Sequence, residues 1–379
     1  VREEKVILLL GRRDHPTDGV ADYCDQLRQA GAIRGLSFEC VQVPWAEKGW
    51  SRALAELREA AAEWRDRWVL LQYTTLAWSR RAFPLRAPHL LDVLRQSGAR
   101  TGVVFHDFCP FVAPGAIGAV RAYCQTRVLD QLYARTDLAL FTGPFEKLKW
   151  LPNNRDKAAF IPVGANCPEL PAPVSSAPRD KKTVAVYGIT GGSNTLPEVA
   201  DIAFAMKQAS QCSGPLRVLV FGRGSKEAES ALHSELAGTN IEIEALGLLS
   251  PEQVTEAFAK SDVLLFVRGQ ISSRRGSAMA AIACGLPIVC YAGPETLFPV
   301  TEAGILAVPD GDRKALAGML QNILADQRLR SELSIRSRSA HAKYFSWPAI
   351  TARFAAELHI KNRIEDVARQ YKTGAAVQI

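Results

Sequence analysis

Short runs of Val, Leu and Ile alternate with amphipathic stretches along nearly the whole chain, and this alternation constrains the fold more than any other feature. A run that is apolar at almost every position has to be covered on both faces. Parallel sheets flanked by helices achieve this through right-handed crossovers. In the first half the runs are KVILLL (5–10), SFECVQV (37–43), WVLLQY (68–73), TGVVFH (101–106), LALFT (138–142) and AAFIPV (158–163). Helical segments separate them: ADYCDQLRQAG (21–31) closes on Gly31, and SRALAELREAAAEWRD (51–66) sets its Leu and Ala on one face.

The stretch CPELPAPVSSAPRDKK (167–182) breaks the pattern with four prolines and little apolar content, the composition of a linker. TVAVYG (183–188), LRVLVFG (216–222), IEIEAL (241–246), DVLLFV (262–267), PIVCYA (287–292) and GILAV (304–308) then restart it. Beyond 312 the chain reads as helical through IKNRIEDVARQYK, with the final GAAVQI frayed. The expectation is an α/β chain of two Rossmann-like, doubly wound parallel-sheet domains, 1–168 and 183–345. Residues 169–182 join them, and helices in 346–379 cross back to the first domain. A chain of 379 residues suits two cores. Ligands of such sheets bind outside the carboxyl ends of the strands, so a cleft faced by both domains is the expected site.

No apolar run approaches the length that spans a bilayer. VREEKVILLLG begins with charge and carries an apolar run too short for a secretory signal, which reads as the first strand of a cytoplasmic protein. Eight cysteines lack CxxC or Cys/His spacing and read as buried reduced thiols. The net charge of +7 is spread over both halves. It suits acidic ligands or an anionic membrane surface but is too diffuse for nucleic acid. One segment, YTTLAWSRRAFPLRAPHLL (73–91), mixes Trp78, Phe83, Pro84 and Leu85 with Arg80, Arg81 and Arg86. Such an edge could rest peripherally on the inner face of a membrane; an ordinary helix rim is the simpler reading.

The stretch ISSRRGSAMAAIACGLPIV (271–289) follows the strand at 262–267 and opens a helix near Ser277. Free N–H groups at a helix start attract phosphate, and Gly276 lets the backbone approach closely. Arg268, Arg274 and Arg275 add paired donors that fit phosphate oxygens. VFGRGSK (220–226), with Gly222, Arg223 and Gly224, and YGITGGSNT (187–195), with Gly188, repeat a glycine loop at two other strand ends. Neither matches a dinucleotide or P-loop pattern. In the first domain, GRRDHPTDGVADYC (11–24) puts Gly19 at a helix start. Asp14, His15 and Asp18 are there to contact hydroxyls, or simply to cap the helix. His106 ends a strand. No cluster has metal-ligand spacing, and no DxD pair or GxSxG elbow is present.

These motifs resemble the GT-B glycosyltransferases of the retaining, nucleotide-sugar-dependent family 4 type, over nearly the full length. The resemblance rests on DGVADYCDQL, FHDF, FIPVGAN, VAVYG, VLVFGRGS, GLLSPEQVTEAFAKSDVLLF, AMAAIACGLPIVCY and the KYFSW tail. It implies a second domain that binds the nucleoside diphosphate and a first that binds the acceptor. It also makes His106 the histidine that contacts the donor sugar and Gly19 the loop glycine near the diphosphate. The family's paired glutamates fall at Ser272 and Ala280, neither acidic. Its Arg and Lys are missing from GITGGSN as well. Arg223, Arg268, Arg274 or Arg275 would replace the lost charge, and Glu295 or Glu302 a carboxylate.

The implied function is transfer of a sugar from a UDP- or GDP-linked donor to a hydroxyl of a glycan, polysaccharide or lipid-linked acceptor. No metal or cofactor is needed, and anomeric configuration is retained. His106, Arg274 and Arg275 are the candidate catalytic residues. Gly19, Gly188, Gly222, Arg223, Arg268, Gly276, Ser277, Glu295 and Glu302 are the candidate donor-binding residues. The alternatives are a non-catalytic nucleotide-sugar binder or assembly protein on the same scaffold, and a sugar-nucleotide epimerase or hydrolase.

Overall fold

The computed structural model describes residues 5–111, 113–170 and 181–359. The chain divides into two compact units, Val1–Pro162 together with Trp347–Ile379, and Val163–Ser346.

Unit 1 runs β1 (Lys5–Leu10), α1 (Gly19–Ile33), β2 (Ser37–Gln42), α2 (Trp45–Lys48), α3 (Trp50–Ala61), β3 (Trp68–Tyr73), α4 (Pro88–Gln96), β4 (Arg100–Phe105), α5 (Gly115–Arg135), β5 (Leu138–Phe141) and β6 (Ala158–Phe160). Its six strands are parallel in the order β2-β1-β3-β4-β5-β6. Every residue of β3 is buried, as a central parallel strand requires. Ile7, Leu9, Val69, Leu71, Val103, Phe105 and Phe141 form one face of the core. The sheet grows one way from β1 to β2 and the other way from β3 onward, so the winding reverses at the β1/β3 junction.

Unit 2 runs β7 (Lys182–Tyr187), α6 (Thr195–Ser213), β8 (Leu216–Phe221), α7 (Ser225–Glu235), β9 (Ile241–Gly247), α8 (Pro251–Ala259), β10 (Val263–Gln270), α9 (Gly276–Ala283), β11 (Ile288–Ala292), β12 (Ile305–Pro309), α10 (Arg313–Ala325) and α11 (Gln327–Ala340). Its parallel order is β12-β11-β10-β7-β8-β9, with the reversal between β7 and β10. Reversal points open a crevice at the strand ends, because neighbouring connections leave in opposite directions. The start of α8 is fixed by a reciprocal cap in which Ser250 and Gln253 each bond the other's backbone N–H. The last described helix, α12 (Trp347–Glu357), belongs to unit 1, where Phe354 meets Phe38 edge-on and Trp347 lies beside Tyr23.

The composition-based boundary falls at 168, whereas the chain passes into unit 2 at 162/163. β6 stops at Phe160, and the Val163 N–H donates to the Ser273 carbonyl of unit 2. The Pro168 carbonyl accepts from Thr255 Oγ1, and the Leu170 carbonyl accepts from Arg338 Nη1. Prolines forbid regular structure but leave carbonyls free to accept, so a proline-rich segment can still dock. The rest of the expected linker, 171–180, and the expected helix and tail from 360 onward lie outside the described residues.

The segment 73–91 is not an ordinary helix rim over most of its length. Trp78 is fully buried and its Nε1 donates to the Gln72 carbonyl, while the helix starts only at Pro88. Among the described residues no helix is long and apolar enough to cross a membrane. Trp78→Ala would leave a cavity and an unpaired carbonyl, costing about 3–5 kcal/mol. Chemical denaturation should show that loss; a change below about 1 kcal/mol would mean that Trp78 is not packed as described.

Candidate active site

In unit 2, β10 carries the central feature because its two edges pair unevenly. Toward β7 it pairs regularly, Val263 with Val184 and Leu264 with Ala185. Toward β11 the partners advance only from Cys290 to Tyr291 while β10 advances from Phe266 to Gln270. Val267, Arg268 and Gly269 are thereby bulged, with Gly269 at φ +68°. Arg268, expected in the loop, therefore stands on the strand end itself, and the bulge turns it toward the loop after β7. Gly188 holds φ +80°, which favours glycine, and a Cβ there would lie 2.8 Å from Arg268 Nη1 and push that guanidinium aside. Arg268 Nε reaches Thr190 Oγ1 at 3.5 Å.

The two glycine loops brace one another. Ile189 N–H donates to the Arg223 carbonyl at 2.9 Å, and a Cβ on Gly224 would stand 2.2 Å from the Ile189 carbonyl oxygen. Gly222, at φ +85°, lies against the Tyr187 ring. Arg223 is exposed, and its charge acts on Arg268.

Arg274 is held by Glu295 in a bidentate pair, Nε to Oε2 at 2.7 Å and Nη2 to Oε1 at 3.0 Å. Gln270 Oε1 in turn accepts from the Glu295 N–H at 2.9 Å. Burial pushes the Glu295 carboxyl up, but the Arg274 hydrogen bond and the charges of Arg274 and Arg275 outweigh it and hold it below the usual value. Glu295 is thus an ionised anchor for Arg274, a pairing across 21 positions that spacing did not reveal.

Arg275 occupies the position before α9 without capping it. Its Nε is buried and has no partner. Burial, then Arg274 and also Arg268, push its pKa down to about 10 against the pull of Glu295 and Glu198. It therefore remains charged at neutral pH, a half-buried cation among cations. No atom lies within 4 Å of where a Cβ on Gly276 would stand, and Ser277 follows in the first turn. The sequence reading missed Glu198, which is buried in the first turn of α6 and accepts from the Thr190 N–H at 2.8 Å. Among the described residues, Arg275 is thus influenced by the charges of Arg268, Arg274, Glu198 and Glu295, and Arg268 by those of Arg223 and Glu198. Ser272 and Ala280 are buried, and Glu302 is exposed on a short turn, where its charge acts on Lys343.

In unit 1 the chain leaves β4 at His106, whose N–H donates to the Tyr73 carbonyl at 3.0 Å. The Tyr23 ring meets the imidazole edge-on at 5.1 Å. Gln72, a residue that the sequence reading also missed, bonds His106 Nε2 through its Oε1 at 2.9 Å and donates its own Nε2 to the Leu70 carbonyl at 3.3 Å. The Leu70 carbonyl can only accept, so the amide oxygen must face the imidazole. Nε2 then carries the proton and Nδ1 is left as an acceptor. Burial lowers the His106 pKa to about 4, against the pull of Asp18. Gly19 opens α1 with free space at its Cβ position. The helix start is already occupied by Asp18, whose Oδ1 accepts from Val20 and Ala21 at 2.9 and 3.1 Å while Oδ2 accepts from Asp14 N–H. Asp18 is therefore a cap, and exposed Asp14 braces the same turn by accepting from the His15 N–H. Among the described residues no group of three or more His, Cys, Asp or Glu could hold a metal ion.

With this geometry in place, residues 192–326 match the family model described as Glycosyl transferases group 1. Anabaena HepE, solved with UDP and glucose, is 13% identical over 94% of this chain and 100% of its own, with a TM-score of 0.63. Sucrose-phosphate synthase from Thermosynechococcus elongatus is 18% identical over 98% of this chain and 100% of its own, at 0.65. A putative UDP-N-acetylglucosamine 2-epimerase from Listeria monocytogenes is 11% identical over 95% and 97%, at 0.59. No curated protein sequence is significantly similar. The fold is GT-B, and the group 1 domain in unit 2 makes the chain a glycosyltransferase.

Gln72→Glu would put a carboxylate against Nε2 and favour the imidazolium, in surroundings that also contain Asp18, Tyr23 and Asp107. Nitrogen-15 NMR of the imidazole should show the Nε2–H tautomer in the parent and a raised titration midpoint in the variant; an unchanged midpoint would contradict the assignment. The depressed pKa has a stability consequence. His106 binds its proton less readily folded than unfolded, so its contribution is complete above about pH 6.5 and lost as pH falls toward about 4. His106→Gln should flatten acid destabilisation across that window in pH-dependent unfolding measurements.

Proposed function

We propose that this glycosyltransferase takes a sugar from a nucleoside diphosphate, UDP- or GDP-linked, and passes it to an acceptor hydroxyl with retention of anomeric configuration and without a metal. The acceptor class is a glycan, polysaccharide or lipid-linked saccharide. The observation that carries this reading is Arg275, half-buried at the uncapped start of α9 beside Arg268 and Arg274, with a buried Nε that has no hydrogen-bond partner. Neutral ligands would leave those guanidinium groups opposed; a diphosphate relieves them. HepE was solved with UDP and with UDP-glucose, which supports a uridine donor as the first to try.

As the anomeric bond breaks, negative charge grows on the diphosphate while the sugar becomes cation-like. Arg268 and Arg275, with the N–H groups at Gly276 and Ser277, would hold that charge more strongly in the transition state than in the ground state. Arg274, fixed by Glu295, presents its remaining surface in a set orientation. Gly188 and Gly222 keep the approach to the phosphates clear of side chains. His106, neutral and carrying an acceptor at Nδ1, suits a donor-sugar hydroxyl, and Gly19 leaves room beside α1. The departing phosphate accepts the proton of the acceptor hydroxyl, so no separate base is required.

The second reading, a binder without turnover, is favoured by one observation: Ser272 and Ala280, where the resemblance puts the family's paired glutamates, are buried and not acidic. Acceptor-dependent release of nucleoside diphosphate with EDTA present distinguishes the two, and an isomerised or hydrolysed donor would indicate the epimerase or hydrolase reading. Arg275→Ala should lower kcat about a hundredfold, roughly 3 kcal/mol of transition-state stabilisation, with a smaller change in KM. Unchanged turnover in both Arg275→Ala and Arg268→Ala would remove the cluster from the mechanism.

A further inference from the structure

The outward face of α5 in unit 1 is apolar where an ordinary surface helix would be polar. Ile117, Val120 and Tyr123 are 72%, 56% and 67% exposed, and Ala116 and Ala119 are exposed beside them. The opposite face, with Gly118, Gln125, Val128 and Leu129, is buried in the unit. The helix therefore departs from the usual amphipathic pattern, because apolar side chains line its solvent face as well as its packed one.

A neighbouring element extends this surface. Gln125 fastens α5 to the turn that precedes α4, donating to the Ala82 carbonyl at 2.9 Å and accepting from the Phe111 N–H at 2.7 Å. The Arg121 guanidinium lies over the Phe83 ring, 5.5 Å from its centre. The turn thus lies beside α5 and contributes exposed Leu85, Arg81 and Arg86. Its charge is one-sided. Residues 74–91 contain Arg80, Arg81 and Arg86, residues 108–129 contain Arg121 and Arg127, and neither stretch contains an Asp or Glu. Within the patch Arg80 is engaged with the Ala46 carbonyl, and Arg127 lies 3.7 Å from Asp130 at the rim, so Arg81, Arg86 and Arg121 supply most of its charge.

We infer that the outward face of α5 with the Arg81–Arg86 turn is a docking surface for a bilayer containing anionic lipid. Exposed Ile, Val and Leu would enter the acyl boundary, Tyr123 would sit at the headgroup level, and the arginines would pair with lipid phosphates. A protein partner would also cover an apolar stripe, but the complete absence of carboxylates across both segments matches a uniformly negative plane better than the mixed charges of a typical protein surface. Trp78 takes no part in this surface, because it is interior. The surface is also independent of the transfer chemistry, since none of its residues belongs to the donor cluster.

The test is co-sedimentation of the full chain with vesicles of phosphatidylcholine and phosphatidylglycerol in equal parts, against vesicles of phosphatidylcholine alone. Binding should be confined to the mixed vesicles and should weaken as salt is raised. Ile117→Asp with Val120→Asp, and separately Arg81→Ala with Arg86→Ala, should each weaken it about tenfold or more. Thermal unfolding should stay unchanged because all four side chains are exposed. Absence of binding to mixed vesicles, or binding that neither pair of substitutions weakens, would overturn the inference. So would a dimer in solution that the Ile117→Asp/Val120→Asp variant dissociates, since another copy of the chain would then be the occupant.

Discussion

The pairing of β10 with β7 governs most of what the second unit can do. These strands meet where the winding reverses, so the loops after them leave in opposite directions and expose the strand ends between them. Regular pairing on the β7 side sets the register at the start of β10; irregular pairing on the β11 side lets Val267–Gly269 bulge. The result brings Arg268 close enough to Gly188 that a Cβ there would displace its guanidinium. Glycine at 188, 222 and 224 is thus a consequence of loops pressed together and of an arginine laid over them.

Electrostatics adds a tension that packing alone would not produce. Arg275 is pushed below the ordinary arginine range first by burial and then by its like-charged neighbours, and its Nε has no protein partner. A fold selected only for stability would pair or expose such a group. Glu295 satisfies Arg274 and Glu198 lies near Arg268, whereas Arg275 is buried beside both arginines. Unit 1 shows the complementary device: a histidine kept neutral by burial, its tautomer set by Gln72, so that it offers a lone pair rather than a charge.

The architecture was legible because both sheets are built from strands buried on both faces, whose apolar runs stand out from the helices between them. β1, β3 and β10 begin at or within one residue of where the apolar runs place them. Strand ends were legible where they coincide with glycine or arginine, as at Gly188, Gly222 and Arg268. What the sequence concealed were relations across the chain. Nothing local marks Glu295 as the partner of Arg274, Glu198 as a neighbour of Arg268, or Gln72 as the group that orients His106. Trp78 misled for a related reason: among three arginines it resembles a surface aromatic, yet its indole turns inward to the Gln72 carbonyl. The contact-based unit boundary precedes the composition-based one because proline content reports the lack of regular structure, not the lack of contacts.

The central claim is that the arginine cluster exists to hold the second phosphate of a nucleotide as well as the first. Calorimetric titration of the chain with uridine, UMP and UDP, and with the guanosine series in parallel, tests it most directly. The account predicts that affinity rises steeply at the diphosphate in at least one series and that this increment shrinks as salt is raised. Equal affinity for nucleoside and diphosphate in both series would contradict it.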